Sequence, residues 1–138
     1  MISKIEHIGI AVQDLENAEA LYERLLGRPP YKREEVASEY VITSFFENGP
    51  NKIELLVATD ECSAIHKFIE KKGEGIHHIA FATDDISAEM ERLKNEGFVL
   101  LNATPKRGAD NKLVCFVHPK SCNGVLIELC QDIIDEEI

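Results

Sequence analysis

The chain is short of basic residues: 15 Lys and Arg stand against 25 Asp and Glu among 138 residues, a formal net charge of −10. Nucleic-acid binding needs a basic face to neutralise phosphates, so no nucleic acid is expected as a partner. Long-range steering would also oppose an anionic substrate, which local lysines or a metal would have to attract. No CxxC pair occurs, and the irregular spacing of Cys62, Cys115, Cys122 and Cys130 does not make a zinc ribbon. No apolar run approaches the ~18 residues of a membrane span, and no signal peptide is recognisable. We therefore expect a reduced, cytoplasmic protein with no membrane partner, its thiols acting as small core hydrophobes. A phosphate loop and a Ser/His/Asp arrangement are missing as well. The stretch Gly73-Glu74-Gly75 is acidic and lacks the lysine such a loop requires.

What is present begins with an ordinary globular balance, 44% hydrophobic and 29% charged residues, and a length that fits one domain over residues 1–138. Four of the acidic charges sit in the final stretch 132–138 (DIIDEEI), read as a solvated end. The chain also repeats itself. Residues 5–16 (IEHIGIAVQDLE) answer residues 76–87 (IHHIAFATDDIS), so that His7 meets His78 and Asp14 meets Asp85. Further on, Lys52–Leu55 (KIEL) answers Leu126–Leu129 (LIEL), and Glu54 meets Glu128. Two copies of one module are the reading, about 1–58 and about 74–131, joined by a helical linker.

Each copy opens with a β-branched, apolar strand and passes to a helix capped by Asp14 or Asp85 and closed by Gly27 or Gly97. Leu15, Ala18, Leu21, Tyr22 and Leu25 follow helical spacing in the first copy. Strands are expected at 40–46 and 52–57, then at 98–101, 113–117 and 124–130, with a linker helix at 63–72 whose Ala64, Ile65, Phe68 and Ile69 point inward. The fold class expected is α+β, two tandem βαβββ modules.

Strand alternation puts His7, Gly9 and Ala11 on one face, with Ile8, Ile10 and Val12 on the face that must pack against the helix. His78 takes the matching place in the second copy, and His77 points the other way. Glu54 and Glu128, each between apolar neighbours, leave the helix-packed face by the same rule. Any one of these four alone would be an ordinary surface residue. Four at repeat-related places in apolar strands point to a divalent metal, since imidazole and carboxylate donors suit zinc, cobalt, manganese or nickel. His77 and His66 have no repeat partner, and His118 precedes Pro119 in a turn from which it could reach solvent or substrate.

The stretches KIEHIGIAVQDLENA, KIELL, GEGIHHIAFATDDI and HPKSCNGVLIEL, in that order, resemble the vicinal oxygen chelate superfamily and, more narrowly, the methylmalonyl-CoA epimerases. That resemblance implies an open, cleft-shaped mixed sheet around a divalent ion, cobalt foremost, with His7, Glu54, His78 and Glu128 as metal ligands. It implies an acyl-CoA substrate, methylmalonyl-CoA, epimerised through an enolate that a Lewis-acidic metal stabilises. The two bases implied are Glu128 and a glutamate before the second strand, which we place at Glu39. Relatives carry glycine after that glutamate, where this chain has Tyr40. Cationic residues for coenzyme A would come from Lys106, Arg107, Lys112 or Lys120. A homodimer is expected from the superfamily. The alternatives are a glyoxalase I-type lactoylglutathione lyase and a metal-free small-molecule-binding protein of the same superfamily.

Overall fold

The computed structural model describes residues 1–134. The expected solvated end lies largely outside the described residues, with Asp135, Glu136 and Glu137. In chain order the elements are β1 (Ile2–Ala11), α1 (Leu15–Leu26), β2 (Lys32–Val36), β3 (Val41–Asn48), β4 (Asn51–Ala58), α2 (Ala64–Lys72), β5 (Gly75–Thr83), α3 (Ile86–Asn95), β6 (Lys106–Gly108), β7 (Lys112–Val117) and β8 (Ile127–Asp132). Among the described residues no helix is long and apolar enough to cross a membrane. The chain forms two compact units: His7–His78, and Met1–Glu6 with the residues from Ile79 onward. β1 and β5 are thus each divided between the two.

In the unit His7–His78 the strands run in the order β2-β3-β4-β1. β1 and β4 are parallel, with Gly9 opposite Glu54, and the other pairs are antiparallel. Asp14 accepts from the Asn17 amide at 3.0 Å and caps α1, which Gly27 closes in the left-handed conformation (φ 75). Leu15, Ala18, Tyr22 and Leu26 pack against Ile10, Val12, Phe46 and Leu55. The expected helix face is corrected here: Leu21 and Leu25 are 48% and 68% exposed. A polar anchor sets the rotation of α1. Glu19 accepts from the buried Ser44 hydroxyl at 2.6 Å and pairs with Arg33. Burial raises the Glu19 pKa, but the Arg33 and Ser44 hydrogen bonds outweigh it and hold the carboxyl below its ordinary range.

α2 begins at Ser63, whose hydroxyl accepts from the Ile65 amide at 3.1 Å. It lays Ile65, Phe68 and Ile69 on Ala11, Val41 and Leu56, while Ala64, expected inward, is exposed in the first turn. Register separates the two faces of this half. Ile10 and Leu55 face α1, and Ala11 and Leu56 face α2. Along the face that holds His7 and Gly9, α2 covers the Ala11 end.

The second unit repeats the plan with β5-β8-β7-β6. β5 and β8 are parallel, with Ala80 opposite Glu128, and α3, capped by Asp85, packs Ile86, Met90 and Leu93 on Cys115, Val117 and Leu129. Ala80, Val114 and Cys130 form a separate cluster with Phe116. The strand expected at 98–101 is reduced to one bridge, Leu100 to Val117. Just beyond it the Asn102 side chain takes the Phe116 amide at 2.9 Å, ending the ladder there. Two short strands, β2 and β6, were not expected; both are polar edge strands.

Candidate metal centre

β1 presents His7 and Gly9 on one face, and the parallel register of β4 sets Glu54 beside Gly9. His78 lies at the end of the same unit. The three side chains converge: His7 Nε2 is 3.0 Å from His78 Nε2, Glu54 Oε1 is 3.3 Å from His78 Nε2, and Glu54 Oε1 is 3.5 Å from His7 Nε2. All three residues are buried, at 5%, 5% and 2% exposure for His7, Glu54 and His78. Donor atoms at about 2.1 Å from one tetrahedral ion sit about 3.4 Å apart. Two imidazole nitrogens and a carboxylate oxygen at these separations form a donor set that fits a divalent metal.

Gly9 makes room for this arrangement. A Cβ built there would lie 2.2 Å from His78 Cε1 and 2.5 Å from its Nδ1. The imidazole thus rests directly on the β1 backbone, where no other residue would admit it. The strand interior of β-branched residues broken by one glycine was the sequence signal, but what fills the gap is a tertiary matter.

Burial works against a charged Glu54, yet the hydrogen bond from His78 and the fields of His7, His78 and His77 outweigh it, so its pKa lies below the ordinary value. His77 corrects the alternation argument. Its ring does not turn away from His78: the two Nδ1 atoms are 2.9 Å apart, and Phe68 of α2 meets the His77 ring edge to face. Burial first, and the neighbouring His78 second, push its pKa down to about 4.

Glu39 is exposed, in the tight turn Ala37–Glu39 that joins β2 to β3, and lies outside the buried cluster of three. Tyr40, where the resemblance leads one to expect glycine, adopts the left-handed conformation (φ 54, ψ 49) that glycine favours. Glu128 belongs to the other unit, where it is buried on β8 opposite Ala80 and Phe116. Glu54 stands opposite Gly9 and Phe45 in the same way, so the internal repeat extends to register. Lys112, one of the cations considered for coenzyme A, is engaged by Asp132, and Lys106 lies 5.8 Å above the Phe116 ring. His118 caps a short turn by accepting from the Lys120 amide at 3.0 Å, and His66 lies 3.6 Å from Glu70 one turn on.

Residues 6–116 match the family described as the Glyoxalase/Bleomycin resistance protein/Dioxygenase superfamily. Over 134 residues the chain is 44% identical to the ethylmalonyl-CoA/methylmalonyl-CoA epimerase of Cereibacter sphaeroides, covering 95% of this chain and 99% of that one. The crystal structure of methylmalonyl-CoA epimerase from Mycobacterium tuberculosis superposes with a TM-score of 0.92 at 33% identity, covering 96% of this chain and 90% of that one. A variant of the Streptomyces coelicolor methylmalonyl-CoA epimerase, in complex with 2-nitronate-propionyl-CoA, gives a TM-score of 0.92 at 33% identity, with 97% and 100% covered. On these likenesses the chain belongs to the glyoxalase/bleomycin resistance protein/dioxygenase superfamily and, within it, to the family of the methylmalonyl-CoA epimerases.

Proposed function

We propose that this protein is an epimerase that interconverts (2R)- and (2S)-methylmalonyl-CoA. The observation that carries the reading is a near full-length likeness to methylmalonyl-CoA epimerases in a chain that holds two imidazoles and a carboxylate donor to donor. The α-proton of a thioester is weakly acidic, and its removal requires stabilisation of the enolate oxygen. A divalent ion held by His7, Glu54 and His78, with Glu128 assigned as fourth ligand on the internal repeat, would supply Lewis acidity when bound. Cobalt is our first choice, with zinc, manganese and nickel as alternatives these donors also accept. Inversion needs a proton taken from one face and returned to the other. We assign these transfers to the carboxylates of Glu128 and Glu39, a role that would require each to come within direct or one-water reach of the carbon. The exposure of Glu39 suits a group that must exchange its proton with solvent between turnovers.

The remaining assignments are one domain over residues 1–138, from the length of the chain, a homodimer, from the resemblance, and a cytoplasmic location, which suits four free thiols. The test is interconversion of the two epimers followed by a stereospecific coupled mutase assay, on protein stripped of metal and protein reloaded with cobalt. Turnover that needs the ion is the expected result. Bound metal without turnover would favour glyoxalase-type thiohemiacetal substrates, and neither metal nor turnover would favour a binding protein.

A further inference from the structure

His77 makes no part of the donor set, yet its ring is fastened to a member of it. Its Nδ1 lies 2.9 Å from His78 Nδ1, and the two rings stand nearly perpendicular at 88° with centroids 5.2 Å apart. A hydrogen bond between two imidazole nitrogens holds one proton, so one ring donates and the other accepts. A His78 that offers the lone pair of Nε2 to an ion must carry its proton on Nδ1. His77 Nδ1 is then the acceptor, and the His77 proton sits on its Nε2. The His77 ring is itself held in place by Phe68, with centroids 5.1 Å apart at 84°. His78 thus has the β1 backbone at Gly9 beneath it and His77 behind it.

We infer that His77 is a positioning residue: with an ion on His78 Nε2 in place of the hydrogen bond to Glu54, His77 Nδ1 accepts the Nδ1–H of His78 and fixes the tautomer and ring orientation that turn His78 Nε2 toward His7 and Glu54. Histidine ligands usually donate their second N–H to a carboxylate, a backbone carbonyl or water. Here a neutral imidazole fills that place. It orients the ligand without adding negative charge to a centre that already contains Glu54.

The inference rests on the metal-centre reading, and the experiment separates the two. Zinc affinity is measured by competition with a chromophoric chelator for the wild type, His77→Ala and His77→Gln, with thermal unfolding of the metal-free proteins as the check on folding. We expect His77→Ala to bind zinc about 10- to 100-fold more weakly. The Gln variant, which retains an acceptor oxygen, should recover most of that loss. Affinity within twofold of wild type in His77→Ala, or a Gln variant no better than Ala, overturns the role of His77 alone. A wild-type protein that takes up no zinc overturns the metal reading and the role with it. Should His77→Ala not fold, nitrogen-15 spectra of the zinc-loaded wild type decide. A coupling between the two Nδ1 atoms with the proton on His78 supports the inference, and its absence, or a proton on His77, refutes it.

Discussion

Single residues set the centre, and Gly9 shows how. Gly→Ala inside a strand ordinarily gains about 0.5–1 kcal/mol from backbone entropy. At Gly9 the new methyl would sit 2.2 Å from the His78 ring, and overpacking of that kind costs about 1–3 kcal/mol. The clash wins. We therefore expect Gly9→Ala to lower the thermal midpoint and to lose zinc binding together; unchanged affinity in a folded Gly9→Ala protein would show that His78 is not seated on this strand. Glu39 is the opposite case, because an exposed turn residue carries little of the fold. Glu39→Gln should keep its metal content and its unfolding midpoint while epimerisation falls by about 100-fold or more. Full activity would remove Glu39 from the proton transfers.

At the scale of elements, the same short-range chemistry recurs in both halves. Asp14 and Asp85 cap equivalent helices, and this was readable because a cap depends on a few neighbouring residues. The strands that carry His7 and Glu54 were likewise readable from alternation and the repeat, but their parallel pairing was not. Edge strands were not. β2 reads Lys-Arg-Glu-Glu-Val, with no apolar alternation to mark it, and β6 has only three residues. The rotation of α1 was hidden too, since it follows from Glu19 meeting Ser44 across the fold. So was the contact of His77 with His78, for alternation predicts opposite faces, whereas in the fold the His77 ring meets both His78 and Phe68 of α2. α2 therefore matters to the site through Phe68, and its stability rests in part on a buried cap. Ser63→Ala should cost about 1 kcal/mol in urea unfolding. A loss near zero would show that α2 is held by its apolar face alone.

For the whole molecule, acid should be destabilising, and the window can be named. In the metal-free protein the folded His77 titrates at about 4 instead of 6.5. Between those values the unfolded chain binds a proton that the folded one does not, so stability falls as pH drops from about 6.5 towards 4 and this contribution is constant above. The lowered pKa of Glu54 acts in the same direction at lower pH. Urea midpoints measured with chelator present should decline from pH ~7 to pH ~5, and His77→Gln should flatten that decline; a flat wild-type curve would contradict it. The seat beneath His78 has a hereditary side as well. In a duplicated chain, positions 9 and 80 descend from one ancestral position; the first keeps the glycine on which the His78 imidazole lies, and the second is now alanine. Glycine at 9 and histidine at 78 are therefore bound to drift together. A descendant that abandoned the ion could fill position 9 at once, whereas one that still uses it could not, so the residue at 9 reports on the state of a site to which it donates no atom.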